Sequence, residues 1–336
     1  MLGTTSSTGR SGNSSYIKDG GSKPIALLVV ALLAILLFVA IPALAASADF
    51  VPHAQTPTFE SGGSYDIALA DMDGDGDLDA IVANTVPGQS RVWFYDGCAG
   101  YAQSGWGFNP AGTVAAGDIN GDSRLDVVAV VSTSPARIYV YSNTGTGLAK
   151  SDEFGSLSSS ASSGRVGLTL GDIDNDGDLD VVVPNQKSAT SQADAYDVYL
   201  NDGTGDFAAL TVGGKFDPDD GRAVSLGDVN NDGYLDVVVA VKGGGNKLYL
   251  NVGHVAGVYS GFALHASFGG GSGFPEDVAL GDVNNDGWLD VVAAYRGTNS
   301  KHQQEQVFLN KKSGTYFNST ASKKFGGGNS INVELG

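Results

Sequence analysis

Five nine-residue segments place oxygen-bearing side chains at alternate positions, with an aspartate at the first and the ninth position of each. We number the positions 1 to 9 and call the segments loops 1 to 5: residues 71–79, 118–126, 172–180, 228–236 and 282–290. Their first residues are separated by 47, 54, 56 and 54 positions. Carboxylate and amide oxygens at this spacing suit a hard divalent cation better than general acid–base chemistry.

The spacing predicts one calcium site in each loop, up to five in all. Side chains at positions 1, 3, 5 and 9 converge when the backbone wraps tightly, and the carbonyl oxygen of position 7 adds a ligand. Glycine at position 6 allows the positive φ that this wrap requires. Loop 2 has Ser123 there, so we expect a weaker or distorted site. The residues predicted to hold the metal are Asp71, Asp73, Asp75, Asp77, Asp79, Asp118, Asn120, Asp122, Arg124, Asp126, Asp172, Asp174, Asp176, Asp178, Asp180, Asp228, Asn230, Asp232, Tyr234, Asp236, Asp282, Asn284, Asp286, Trp288 and Asp290.

Two other interpretations of the loops are less favoured. An EF-hand needs a bidentate glutamate at position 12 and flanking helices, but position 12 is here valine or alanine within predicted strands. Plain hairpin turns do not require acids at fixed alternate positions in five copies. Magnesium is the alternative metal, although it keeps its water and seldom uses an all-protein cage.

The charge of the chain supports the metal interpretation. The formal net charge is −18. The five loops contain 19 of the 37 acidic residues and one of the 19 basic ones, so the rest of the chain is neutral. This is not the evenly spread acidity of a halophilic surface. Nucleic acid is excluded as a partner class because phosphate binding requires a basic face.

Short strands alternate with the loops throughout the repeat region. An alternating segment such as residues 277–281 enters the loop, and a β-branched run such as residues 236–240 leaves it. A third strand (197–201), a glycine-rich turn (202–206) and a fourth strand (207–210) follow. The period fits a four-stranded antiparallel blade, so we predict an all-β fold, a β-propeller over residues 49–336.

The N-terminal part differs from the repeats. Residues 1–24 form a polar tail, and residues 25–48 contain no charged side chain. The second segment predicts a helix that is either a retained signal-anchor or a cleaved signal peptide. Basic residues precede it, so the repeats are expected outside the cell in either case.

At the other end, residues 332–336 align with residues 277–281, and the sequence stops one residue before a sixth loop. We interpret the chain as a truncated product or fragment. The alternative is that this last strand closes a smaller ring by pairing with the N-terminal strands.

The repeated pattern of residues 280–292, followed by a third strand that ends in asparagine, resembles FG-GAP and VCBS-type repeats. The resemblance covers about residues 57–336. It implies an integrin-α-like propeller with calcium in its loops that serves adhesion or ligand recognition. Ser123 and the number of visible blades depart from that pattern. The family includes adhesins, lectin-like proteins and some polysaccharide lyases, so the resemblance names no ligand.

Meander topology places the loops and the glycine-rich turns on one face and the longer connections on the other. Candidate ligand contacts on the second face are Lys187, Arg296, Lys301 and His302, although ordinary solvated residues are the more common outcome. Trp106, Tyr101 and Phe108 could stack on a sugar, but such aromatics more often pack between blades. Cys98 could pair with another chain, although a small buried or semi-buried thiol is the favoured interpretation, and Asn318 begins a glycosylation sequon.

No catalytic constellation is recognisable among the four histidines or elsewhere. We therefore expect an extracellular calcium-binding recognition module for protein or glycan ligands at the cell surface, anchored by the N-terminal helix if that helix is retained. A propeller-type polysaccharide lyase and a structural spacer are the alternatives.

Overall fold

The residue runs that follow the loops form the central strands of the fold, because valine and isoleucine favour extended backbone that is buried on both faces. The computed structural model describes residues 63–97, 100–131, 135–157, 167–184, 196–209, 221–269, 274–296 and 304–326, together with residues 333 and 335. All of them belong to one of two compact units, Gln55–Gly336, the other being Met1–Ala54.

The described residues form five four-stranded antiparallel sheets, the blades of a β-propeller ring. Blade 1 contains β1 (Ser64–Ala70), β2 (Asp79–Asn84), β3 (Arg91–Asp96) and β4 (Gly100–Gly107). Blade 2 contains β5 (Ala111–Gly117), β6 (Asp126–Val131), β7 (Ala136–Asn143) and β8 (Leu148–Leu157). Blade 3 contains β9 (Thr169–Gly171), β10 (Asp180–Pro184), β11 (Tyr196–Asn201) and β12 (Phe207–Ala209).

Blade 4 contains β13 (Gly221–Gly227), β14 (Asp236–Val241), β15 (Gly245–Asn251) and β18 (Phe262–Phe268). A small hairpin that the sequence did not predict, β16 (His254–Val255) and β17 (Val258–Tyr259), lies between its last two strands. Blade 5 contains β19 (Phe274–Gly281), β20 (Asp290–Arg296), β21 (Glu305–Phe308) and β22 (Lys323–Phe325). The predicted all-β meander of four-stranded blades is confirmed.

The second strand of each blade is the buried centre of the fold. Successive side chains of a strand point to opposite faces, so they alternate between the two neighbouring blades. In β6, residues 127, 129 and 131 belong to the same core cluster as Ile81 of blade 1. Residues 128 and 130 belong to the cluster of Val181 in blade 3. Position 12 of every loop falls in one of these strands and is at most 2% exposed, which confirms that the loops are not EF-hands.

Blades approach each other closely at the glycine that precedes each of loops 2 to 5. A methyl group on Gly117 would lie 2.6 Å from Cδ1 of Leu179 in the next blade, and Gly227 stands in the same relation to Leu289. The leucine at position 8 thus packs over the glycine of the preceding blade, and a larger residue at that glycine would require the leucine side chain to move.

The last described residues repeat a contact seen between blades 1 and 2. The Val333 N–H donates to Oδ2 of Asp277 at 2.8 Å, and the Val114 N–H donates to Oδ2 of Asp66 at 3.0 Å. The alignment of residues 332–336 with a first strand is consistent with this contact. Whether the chain is truncated or closes a smaller ring stays a prediction.

Within the described residues, no helix is long and apolar enough to cross a membrane. The segment 25–48 lies outside them, so the signal-anchor and signal-peptide interpretations are untested.

Candidate metal sites

The first aspartate of each loop organises the backbone. In loop 3, Oδ1 of Asp172 accepts the N–H of Asp176 at 3.0 Å, and Oδ2 accepts the N–H of Gly177 at 3.0 Å. The same pair of bonds, from positions 5 and 6 to position 1, occurs in all five loops at 2.6–3.1 Å. The wrap predicted from the sequence is therefore built on hydrogen bonds to an ionised side chain, which are stronger than neutral ones.

Two positions in each loop adopt left-handed backbone. Position 6 has φ between 67° and 100°, as predicted, and Ser123 has the value 67°. Position 4 is also left-handed, with φ between 57° and 82°. This second requirement was not predicted from the sequence, although every loop has glycine or asparagine there, the two residues that most readily adopt this backbone.

The ninth aspartate of each loop is fully buried and ties the loop to the third strand of its blade. Asp180 accepts the N–H of Ile173 through Oδ2 at 2.8 Å and the N–H of Asn201 through Oδ1 at 2.8 Å. Its counterparts Asp79, Asp126 and Asp236 make the same two contacts. The sequence predicted these residues only as ligands, whereas the structure also gives them this bridging role.

Burial changes the acidity of these carboxyls. The pKa of Asp180 is raised to about 7, and loss of solvation is the largest cause. The neighbouring loop carboxylates also raise this pKa, whereas the hydrogen bonds from two backbone N–H groups lower it. Burial likewise raises the pKa of Asp236 to about 7, and it raises the pKa values of Asp79, Asp126 and Asp290. A cation beside these groups would oppose the shift by favouring the ionised form.

An asparagine at the end of the third strand joins neighbouring blades. Nδ2 of Asn143 donates to the carbonyl oxygen of Met72, position 2 of loop 1, at 2.8 Å and to that of Leu125 in its own loop at 3.2 Å. Asn201, Asn251 and Asn310 repeat both bonds with their own and the preceding loop. The recurrence of asparagine was visible in the sequence, but its partners were not, because they lie 71–82 residues away.

The structure brings predicted ligands together most clearly in loops 1 and 3. One carboxylate oxygen from each of Asp71, Asp73 and Asp79 lies within 4.8 Å of the other two, and Asp172, Asp174 and Asp176 are arranged likewise. Loops 2, 4 and 5 have an asparagine at position 3, so they bring fewer carboxylates and an amide oxygen instead. By composition all five loops offer the oxygen-only donors that Ca²⁺ and Mg²⁺ prefer, and among the described residues three carboxylates converge in loops 1 and 3.

Two carboxylate oxygens support the fit of a cation. Asp290 is fully buried, and its Oδ2 makes no hydrogen bond of regular geometry with the described residues, although the Val283 N–H is close enough to lower the pKa of the carboxyl. Oδ1 of Asp174 in loop 3 is buried in the same way, with the Asp176 N–H close to the carboxyl. Buried carboxylate oxygens are normally satisfied, so these two are suited to an additional positive partner.

Two loops have a basic side chain on the carboxylate at position 5. In loop 2, the Arg124 guanidinium binds Asp122 and also donates through Nε to the carbonyl oxygen of Asn143 at 2.7 Å. In loop 5, Nζ of Lys312 lies 3.3 Å from Oδ2 of Asp286. The sequence predicted a weaker loop 2 from Ser123, and the ion pair gives a second physical reason for it.

Side chains at position 7 contact the turn between the third and fourth strands. The Gly97 N–H donates to Oδ2 of Asp77 at 3.4 Å, and the Tyr234 ring covers Gly253. These contacts agree with the predicted placement of the loops and turns on one face. Since the position 7 side chain contacts the turn, the main-chain carbonyl oxygen is the atom of this residue that could bind a metal. That this oxygen is a ligand stays a prediction.

The other candidate residues are only partly described. The Arg296 guanidinium lies 2.9 Å from the buried carboxylate of Glu276, so much of its charge is already neutralised. Phe108 is buried against Tyr141 of blade 2, and Trp106 packs edge-on against Phe94. The aromatic residues thus serve packing, the more common outcome. Asn318 is exposed; Lys187, Lys301, His302 and Cys98 lie outside the described residues.

Five antiparallel blades with acidic loops of one design define a repeat β-propeller. A family model, described as an FG-GAP-like repeat, matches residues 71–129, 118–183 and 228–293. These matches cover more than half of the chain, which therefore belongs to the FG-GAP-like repeat family. The resemblance drawn from the sequence is confirmed.

Other comparisons add little to this assignment. Among solved structures, the V. cholerae biofilm matrix protein Bap1 is similar at 16% identity with a TM-score of 0.43. The similarity covers 82% of this chain and 42% of that protein, so the chain spans less than half of its length. No curated protein matches the sequence at a significant level.

Proposed function

We propose that this chain is an extracellular calcium-binding β-propeller that acts as a recognition module for protein or glycan ligands at the cell surface. The observation that carries the calcium part is the oxygen-only donor set repeated in five loops of one hydrogen-bonded design. The residues that would hold the ion are those at positions 1, 3, 5 and 9, together with the carbonyl oxygen of position 7.

Calcium would serve structure rather than chemistry in these loops. It would neutralise clustered carboxylates that otherwise repel one another, and it would fix the strand connections that the blades share. Since binding to the folded state alone stabilises a protein, each occupied site would raise the free energy of unfolding. Calcium is favoured over magnesium because the donors are all provided by protein.

Ligand recognition is assigned to the face opposite the loops. Meander topology would place on that face the connections between second and third strands and those between blades, whose length and composition vary from blade to blade in the sequence. Variable loops on a repeated scaffold are where recognition residues concentrate. The ligand would thus bind on one face of the propeller, and calcium would stabilise the blades from the opposite face.

Enzymatic activity is not expected. Of the histidines that the structure describes, His254 packs edge-on against Tyr259, and His265 contacts the Gly314 carbonyl oxygen and Tyr316. These contacts are structural, and the charge of His254 acts on the carboxyl of Asp174, a residue of the candidate metal site in loop 3. A lyase remains the second function class because some family members belong to it, and a spacer is the third.

The experiment that separates these classes compares binding with turnover. The purified chain is applied to glycan and surface-protein arrays in calcium and in EGTA, and acidic polysaccharides are incubated with it and assayed for unsaturated products. We expect calcium-dependent binding without product. Release of unsaturated sugars would overturn the proposal in favour of a lyase, and neither binding nor turnover would favour the spacer.

A further inference from the structure

The loops of blades 3, 4 and 5 are connected directly to one another. Nδ2 of Asn175, at position 4 of loop 3, donates to the carbonyl oxygen of Gly233 in loop 4 at 2.9 Å. Nδ2 of Asn231, at position 4 of loop 4, reaches the carbonyl oxygen of Gly287 in loop 5 at 3.5 Å. Loops 1 and 2 have Gly74 and Gly121 at position 4, which have no side-chain amide to donate.

The donor side of this connection lies among predicted metal ligands. Asn175 stands between Asp174 and Asp176 and is held at φ 60°. The N–H of Asp176 is bound by Asp172. A cation that fixes these three carboxylates would therefore also fix the direction of the Asn175 amide.

The acceptor side leads to a ligand of the next loop. The peptide group between Gly233 and Tyr234 accepts the Asn175 amide through its oxygen and donates its N–H to Oδ1 of Asp232 at 2.9 Å. Hydrogen bonds at the two ends of one peptide group polarise each other. The orientation of Asp232, a ligand of loop 4, is thus tied to the order of loop 3. The same path continues through Trp288, whose N–H donates to Asp286 at 3.1 Å.

We infer that loops 3, 4 and 5 form a coupled set in which binding of calcium at one loop strengthens binding at the next, whereas loops 1 and 2 fill independently of this path. The inference rests on the proposed calcium sites. Coupling between binding sites is reciprocal, so loop 4 strengthens loop 3 as much as loop 3 strengthens loop 4. The shorter of the two bonds, from Asn175, should transmit the larger effect.

Terbium luminescence can follow single loops, because Tb³⁺ is a hard cation that takes calcium sites and is sensitised by a nearby indole. Trp288 at position 7 reports loop 5, and the double change Tyr234→Trp with Trp288→Tyr moves the reporter to loop 4. Signal from Trp93 and Trp106 in blade 1 is subtracted with the single Trp288→Tyr protein.

In the reporter protein for loop 4, we expect Asn175→Gly to raise the half-saturating terbium concentration about threefold, since an exposed neutral hydrogen bond contributes toward the lower end of its usual range. Glycine keeps the left-handed backbone, as it does in loops 1 and 2. In the Trp288 protein, Asn231→Gly should raise the value for loop 5 by a smaller factor. Asn285→Gly, in loop 5, is the matched control and should leave both unchanged.

A double-mutant cycle tests the coupling itself. Asp172→Asn, which impairs loop 3, should weaken terbium binding at loop 4 more in the reporter protein than in the Asn175→Gly background, where the Asn251 amide still joins the two loops. Equal weakening in both backgrounds, or none in either, would show the inference to be wrong. If the reporter proteins give no saturable terbium signal that calcium displaces, the proposed calcium sites themselves fail.

Discussion

Loops 2 and 3 share a backbone but differ in charge. In both, the first aspartate binds the N–H groups of positions 5 and 6, and the ninth bridges position 2 and the third strand. Loop 3 has five carboxylates and no base, whereas loop 2 has three and the cation of Arg124. The shared hydrogen bonds therefore belong to the fold of the loop, and the surplus carboxylates of loop 3 are the groups that the proposed metal would neutralise.

If bound calcium neutralises the carboxylates of loops such as loop 3, removal of calcium should have the largest effect of the changes considered. At ~1 mM calcium and a Kd of ~0.1 mM, each site contributes about 1.4 kcal/mol. Several sites would lower the melting temperature on the order of 10 °C in EGTA. Differential scanning calorimetry measures this decrease in the melting temperature. Calcium should restore the value better than magnesium, and an unchanged curve in excess EGTA would contradict the proposal.

The second largest effect is expected in the pH dependence of the free energy of unfolding of the calcium-free protein. The pKa of Asp180 and of Asp236 is about 7 in the folded protein, against an ordinary 3.8. Between these values the folded state keeps protons that the unfolded chain has lost, so the free energy of unfolding decreases as the pH rises through about 7. The stabilisation is fully present below about pH 4 for these groups.

We therefore expect the calcium-free protein to melt at a higher temperature at about pH 5.5 than at about pH 8. Saturating calcium should remove most of this difference, because the carboxylates then stay ionised. Calorimetry in buffers stripped of metal by chelating resin provides the measurement. A calcium-free protein that melts higher at the alkaline end would contradict the assignment.

A smaller effect comes from matched changes at position 5. Asp176→Asn should remove one calcium site, seen as a stoichiometry lower by one in isothermal titration calorimetry, and about 1.4 kcal/mol of calcium-dependent stability. Asp122→Asn in loop 2 should change the stoichiometry little, because Arg124 already occupies that carboxylate. Equal losses in the two variants would mean that the ion pair does not distinguish the loops.

The smallest effect concerns position 6. Ser123→Gly should raise the free energy of unfolding by roughly 1 kcal/mol, because a left-handed conformation is strained for serine and not for glycine. Gly177→Ser in loop 3 is the reciprocal change, and space is available there, since nothing lies within 4 Å of an added Cβ. It should lower stability by a similar amount. Chemical denaturation of both proteins in EGTA checks the pair.

Local periodicity predicted most of the fold. The loop spacing and the β-branched runs placed the second strands correctly, since Asp236–Val241 begins at the predicted residue and extends the predicted run by one. The left-handed backbone at position 6 followed from glycine alone. The hairpin of β16 and β17 was missed because its strands have two residues each, too few for any alternation to be recognised.

The candidate sites were predicted as sets of ligands but not as a network. Asn143 and Met72 are 71 residues apart, and no local pattern relates them. The ion pair of Lys312 with Asp286 depends in the same way on how a turn folds back. Burial of the ninth aspartate was equally hidden, because a sequence shows that a residue is acidic and not how much water reaches it.

The asparagine that follows the third-strand pairing in blades 2 to 5 has a consequence for synthesis of the chain. It binds the loop of the blade made before it, so a loop receives this bond only after 71–82 further residues have been added. At a translation rate of about 5–20 residues per second, each loop waits roughly 4 to 16 seconds. During that interval the position 2 carbonyl of the newest loop lacks its asparagine donor. Each blade therefore gains this hydrogen bond only when the next blade has been synthesised.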